Sequence, residues 1–239
     1  MRLGILEADS VSREVEDNFG TLSSMFSDFF KLADPDILCT PYLAHLGELP
    51  DNLDECDAWV VTGSKASAND EADWMLELEE FIRSTAKQNI PTIGICFGHQ
   101  LMAKARGGRV ERTQGDKWGI GIHHYMANSA PSERPDWMSK GEIRLQAMHQ
   151  DQVVELPPQT LCLAGSDHCP NGVILYPDNA LSMQLHPEIR PDFSRYLINQ
   201  RKGTHFPLEE GEQALIDVDG TVDDVLVAKW MLHFIRRSG

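Results

Sequence analysis

A cysteine stands between two glycines in Gly94-Ile95-Cys96-Phe97-Gly98, directly after the apolar run Pro91-Thr92-Ile93 and before the helix-compatible Gln100-Leu101-Met102-Ala103-Lys104-Ala105-Arg106. The order reads as strand, sharp turn, helix. Gly-x-Cys-x-Gly is the thiol counterpart of the Gly-x-Ser-x-Gly nucleophile elbow, whose glycines allow a strained turn that lifts the nucleophile above the sheet edge. A thiol at that place heads a helix, where the dipole and the free N–H groups favour the nucleophilic thiolate. A buried structural cysteine between packing glycines would show the same pattern. A catalytic thiol also needs a base to take its proton and a third group to orient that base. His186-Pro187-Glu188 offers both, at the carboxyl end of the strand-like run Leu181-Ser182-Met183-Gln184-Leu185, where α/β sheets place their reactive groups. Pro187 fixes the turn, so that the carboxylate can hold one imidazole nitrogen while the other faces the thiol. Taken alone, such a triplet is also a common surface turn.

The elements that must position these residues follow from periodicity. Residues 2–7 read as a buried strand, and Leu22, Met25, Phe26, Phe29 and Phe30 recur at helical spacing after Asp17-Asn18-Phe19-Gly20. Short strands are expected over 36–40 and 57–62, with a loop marked by Gly47 and Pro50 between them. Residues 70–88 carry Trp74, Leu78, Phe81 and Ile82 on one face of an amphipathic helix that returns the chain to the strand at 91–95. Alternating strands and helices predict a parallel sheet covered on both faces. Beyond the elbow helix, strands are expected at 107–112, 119–125, 142–147, 161–165, 172–176 and 181–185 without helices between them, so this half is β-rich and partly antiparallel. Helical periodicity returns over 189–201 and 222–237. The acidic stretch 203–224 reads as a mobile loop.

Composition sets the outer bounds. The 239 residues suit one α/β domain spanning 1–239, and 41% hydrophobic with 24% charged residues is ordinary for a water-soluble globular chain. No apolar run approaches the roughly 20 residues that span a bilayer. The short apolar start passes at once into acidic sequence and reads as a strand rather than a signal peptide, giving a cytoplasmic expectation. A net charge of −16 argues against a nucleic-acid partner, which would call for a basic patch. The five cysteines are odd in number and contain no Cys-x-x-Cys pair, so no disulfide framework is expected. Cys162, His168 and Cys169 lack a fourth ligand and match no common zinc spacing, so no metal and no cofactor is expected.

Together, the elbow and the His-Pro-Glu triplet some 90 residues later resemble the class I glutamine amidotransferases, over nearly the whole chain. The resemblance implies a three-layer α/β/α fold of the flavodoxin-like kind, with a central, mostly parallel sheet. It implies Cys96 as nucleophile, His186 as general base and then acid, and Glu188 as the residue orienting His186. The implied reaction is attack on the γ-amide of glutamine, ammonia release and hydrolysis of a γ-glutamyl thioester. Oxyanion donors would be the backbone N–H groups of Phe97 and of Gly63, although Gly63 could also be a simple turn glycine. Gln100 matches the family glutamine that contacts substrate, or faces solvent in the first helical turn. The run Met148-His149-Gln150-Asp151-Gln152-Val153 is similar to the family's substrate loop, whose backbone around Gln150 and Asp151 holds the amino-acid head group. His149 belongs to loop structure in that scheme.

One departure concerns the residues after Gly63. Many relatives have a second glycine there, whereas Ser64-Lys65-Ala66-Ser67 puts side chains at the pocket mouth. Lys65 would suit a substrate with an additional carboxylate, unless it points into solvent. Three readings stay open: a free-standing glutaminase or amidotransferase with its ammonia acceptor on a separate synthetase subunit, a γ-glutamyl peptide hydrolase, and a non-catalytic regulatory subunit. The intact Cys96, His186 and Glu188 argue against the last.

Overall fold

The computed structural model describes residues 1–128 and 134–237. β1 (Arg2–Leu6) leads into α1 (Arg13–Phe19), whose start is capped by Ser12 accepting from the Val15 N–H and whose end is set by Gly20 at φ 88°. α2 (Leu22–Lys31) follows, capped by Thr21, and buries Met25, Phe26, Phe29 and Phe30. The sequence pattern anticipated α2 but treated α1 only as its lead-in. β2 (Leu38–Tyr42), β3 (Ala58–Val61), α3 (Asp73–Lys87), β4 (Thr92–Ile95) and α4 (Phe97–Ala105) complete the first half. β2 runs two residues past its expected end because it is an edge strand, where Pro41 need not donate to a ladder.

The second half contains β5 (Arg109–Arg112), β6 (Gly119–Ala127), β7 (Glu142–His149), β8 (Asp151–Glu155), β9 (Leu161–Gly165), β10 (Val173–Tyr176) and β11 (Ala180–Met183), then α5 (Pro191–Arg201), α6 (Leu208–Asp217) and α7 (Asp224–Arg237). Among the described residues a nine-stranded sheet runs in the order β2-β1-β3-β4-β11-β10-β9-β6-β7, and β5 pairs with β8 in a separate ribbon. The five strands from β2 to β11 are parallel and the remaining pairings antiparallel. Helices cover both faces. α2 and α7 close one face over Leu3, Ile5, Val60 and Ile93, and α3 and α4 close the other over Leu6, Trp59 and Val61. This is the three-layer α/β/α arrangement with a β-rich second half.

One expectation is corrected. The acidic stretch 203–224 is not one irregular loop, because it contains α6. Glu209 and Glu210 sit in the first turn of that helix, where its dipole favours carboxylates. Gly211 and Val218 are buried, and a Cβ on Gly211 would lie 2.5 Å from the Lys202 Cβ, so α6 packs tightly on its neighbours. High acid content hid an apolar edge of few residues.

The elbow demands the closest packing. A Cβ on Gly98 would lie 2.3 Å from the Val61 carbonyl oxygen, which holds the start of α4 against the end of β3. Gly98→Ala must push rigid backbone apart, at about 1–3 kcal/mol, and should lower the melting temperature by roughly 3–10 °C for a chain of this size. A melting temperature equal to wild type by calorimetry would refute this close contact.

Candidate active site

Cys96 follows β4 directly and adopts φ 52°, ψ −102°, a region that side-chain-bearing residues rarely occupy. Its neighbours make the turn possible: a Cβ on Gly94 would meet the Gly98 carbonyl oxygen at 2.6 Å and the Met102 sulfur at 2.4 Å. The turn is also held from the side, since the Cys96 N–H donates to the Met183 carbonyl at 2.9 Å and the Gly98 N–H to the Thr62 carbonyl at 3.1 Å. Cys96 is 5% exposed, at the head of α4. Phe97 is the first residue of that helix, where an N–H has no intrahelical acceptor.

β11 pairs in parallel with β4, placing Met183 opposite Ile95, so the two chains leave the sheet side by side. Three residues on, the His186 N–H donates to the Gln146 carbonyl at 2.8 Å, which anchors it to β7. Its Nδ1 lies 2.7 Å from Glu188 Oε1, both side chains being buried. Nε2 is thereby left free of Glu188, and the Cys96 side chain is close enough to favour the charged ring. Burial alone would drive this imidazole toward neutrality, but the charges of Glu188 and then Cys96 overcome it and raise its pKa to about 10. Gly63 closes the cluster: a Cβ there would lie 2.9 Å from His186 Cε1 and 3.7 Å from Cys96 Cβ. Thr62 positions this glycine by taking the Ala8 N–H and donating to the Gly63 carbonyl.

A cavity of about 640 Å³ opens over Cys96 and His186, with Gly63, Gln100, Gln150 and Asp151 in its lining. Gln100 is 4% exposed, and its Nε2 donates to the Asp151 carbonyl at 2.7 Å and to Gln184 Oε1 at 3.1 Å, tying α4 to the start of β8. Gln150 donates to the Asp116 carbonyl and accepts the Thr113 N–H. The Asp151 carboxylate accepts from the Ser67 hydroxyl at 2.6 Å and lies 3.5 Å from Arg112 Nε. His149 also lines the cavity, with Nδ1 3.2 Å from the Asp151 carbonyl, and burial holds it neutral. Lys65 is at the mouth, where its ammonium pairs with Asp9 at 2.9 Å and its N–H donates to the same carboxylate.

Two contributors escaped the sequence reading. Gln146 is 1% exposed and joins three elements: its Nε2 donates to the Val218 carbonyl, its Oε1 accepts from Ser194, and its own carbonyl holds His186. Nothing in the sequence marks it, because a glutamine within a strand pattern reads as solvent-facing. Arg201, the last residue of α5, lines the cavity, and its guanidinium has no hydrogen bond or ion pair among the described residues. Among those residues no group of three or more His, Cys, Asp or Glu is arranged to hold a metal ion, and no helix is long and apolar enough to cross a membrane.

Known proteins are similar to this chain in sequence and in fold. The family described as Glutamine amidotransferase class-I matches residues 40–200. Gamma-glutamyl peptidase 4 of Arabidopsis thaliana is 31% identical over 61% of this chain and 60% of its own length. A glutamine amidotransferase-like protein of Schizosaccharomyces pombe is 28% identical over 75% of this chain and 72% of its own. A glutamine-hydrolyzing GMP synthase of Macrococcus caseolyticus is 31% identical over 55% of this chain, which spans only 24% of that protein. A solved glutamine amidotransferase from Methylobacillus flagellatus superposes with a TM-score of 0.75 at 24% identity, covering 99% of this chain and 92% of its own. One from Thermotoga maritima gives 0.72 at 20% identity, covering 98% of each chain.

The His186–Glu188 pair has a consequence for stability. Because the folded value lies above the ordinary imidazole value of 6.5, the pair stabilises fully below about pH 6.5, and that contribution is lost as the pH rises through about 10. The destabilisation caused by Glu188→Gln should therefore be largest near pH 6 and fade toward pH 10, read as the melting-temperature difference from wild type. A difference that does not vary with pH would count against a charged pair.

Proposed function

The chain belongs to the class-I glutamine amidotransferase family, and on that premise we propose that it hydrolyses γ-glutamyl amide bonds through a Cys96 thioester. The observation that carries the reading is the elbow thiol at φ 52° sharing the Gly63 side of one cavity with an imidazole that Glu188 holds at 2.7 Å. In this mechanism the Cys96 thiolate attacks the γ-carbonyl carbon, and the developing oxyanion lies toward the N–H groups of Phe97 and Gly63. His186 protonates the departing nitrogen as the C–N bond breaks, leaving a γ-glutamyl thioester. Water then enters the vacated place, gives a proton to His186 and attacks the thioester. Glutamate leaves as the thiolate is restored. Glu188 keeps the reactive tautomer and orientation of His186 throughout.

A cavity of about 640 Å³ is roomy for free glutamine, and the Arabidopsis gamma-glutamyl peptidase similarity supports a peptide-like amide as substrate. Gln150 and Asp151 stand where the amino-acid head group would lie. Gln100 acts there by holding the Asp151 backbone, since its amide hydrogens point to that carbonyl and to Gln184. A second reading, ammonia release from glutamine to a separate synthetase subunit, is favoured by the similarity to the glutamine-hydrolyzing GMP synthase.

Cys96→Ala and His186→Asn should each lower γ-glutamyl hydrolysis by about four to six orders of magnitude, with Glu188→Gln less severe. Iodoacetamide should label Cys96 before Cys39, Cys56, Cys162 or Cys169, whose pKa values burial raises. Parallel assays of ammonia from glutamine and glutamate from γ-glutamyl peptides decide between the two substrates. Full activity in Cys96→Ala would end both readings.

A further inference from the structure

The γ-glutamyl hydrolase reading fixes a direction in the cavity. The departing amine takes its proton from His186, so the leaving group must lie on the His186 side of Cys96. That side is walled by the segment that continues from His186 into α5. Ile189, Phe193, Leu197 and Arg201 all line the cavity, at intervals of four residues. The last three share one face of the helix. Ile189 and Phe193 are buried and pack with Val15 and Met25, with Val11, Leu22 and Leu197 against them, so the wall opposite is apolar too. The passage ends in a cation.

The remaining cations of the cavity wall are already paired, Lys65 with Asp9 and Arg112 with Asp151. Arg201 has no partner among the described residues. Burial opposes its charge, and the negative charges of Cys96 and Asp9 favour it, so it lies within electrostatic reach of the reactive thiol. A partly desolvated guanidinium that makes no hydrogen bond or ion pair is a ready site for a planar carboxylate, which it can bind with two parallel hydrogen bonds. Phe193 and Arg201 are eight residues apart, roughly 12 Å along the helix. An extended dipeptide spans about 7 Å, and the Arg201 side chain leans back toward the start of α5, which closes the gap.

We propose that Arg201 is a specificity-determining residue that binds the terminal carboxylate of the leaving group, and that the preferred substrates are γ-glutamyl tripeptides, whose leaving group is a dipeptide with an apolar residue after the scissile bond. Lys65, which the sequence suggested for this part, is committed to Asp9.

The test is calorimetric binding to the Cys96→Ala protein, alongside turnover by wild type, with γ-Glu-Leu-Gly and its C-terminal amide as probes. The free acid should bind Cys96→Ala about tenfold more tightly than the amide, as expected for a charge-assisted hydrogen bond. Cys96→Ala/Arg201→Gln should reduce this ratio to about one, and Cys96→Ala/Arg201→Lys should keep part of it. Equal binding of acid and amide overturns the role of Arg201, even if wild type cleaves both. Equal weakening of both probes by Arg201→Gln also overturns it, because the residue would then read the glutamyl head group. Discrimination in binding with no cleavage by wild type would leave Arg201 in place and remove the hydrolase reading.

Discussion

The parallel pairing of β4 with β11 is the constraint on which the site depends. Eighty-eight residues separate Ile95 from Met183, yet their register puts the two strand ends side by side, and the Cys96 N–H is bonded to the Met183 carbonyl. Every chemical residue of the cluster leaves a parallel strand at its carboxyl end: Gly63 after β3, Cys96 after β4 and His186 after β11. A slip of one residue in β11 would turn alternate side chains to the opposite face of the sheet. Shifting its end would also move His186 away from the thiol.

The elbow stores strain, and the surrounding packing keeps it there. A non-glycine residue at φ 52°, ψ −102° costs about 1–3 kcal/mol, and it persists because β3, β4 and α4 leave no alternative path. Gly94 and Gly98 are glycines for want of space, since at either position a Cβ would strike backbone within 2.6 Å. The same close approach brings the head of α4 and the loop after β3 to either side of the thiol.

Electrostatics in the cluster run against the character of the whole chain. The protein carries a net charge of −16, but the cavity gathers Lys65, Arg112 and Arg201 around Cys96 and His186. Two of these cations are neutralised by Asp9 and Asp151, leaving the mouth built by ion pairs and the α5 wall carrying the unbalanced charge. The β-rich half supplies the anchoring. Gln146 on β7 links His186 to α5 and α6, so the imidazole is fixed through its backbone as well as through Glu188.

The local pattern was sufficient for what local chemistry controls. The strand-glycine-cysteine-glycine-helix order specified the elbow, alternating elements specified a covered parallel sheet, and His186-Pro187-Glu188 specified a turn able to join imidazole and carboxylate. Periodicity placed α2, α3 and α7 because each buries a continuous apolar face. It missed α1, which buries only Val15, and α6, whose acids outnumber its core residues. Only the tertiary structure decided which polar side chains are spent and which are free. Gln100 is committed to Asp151 and Gln184, Lys65 to Asp9, and Gln146 to three elements, through contacts that span from 40 to 84 residues of sequence. Arg201 is left without a partner by the same packing. Sequence spacing carries the period and the turn chemistry of one segment. Partnerships between segments depend on sheet order and register, which are settled only when the strands pair.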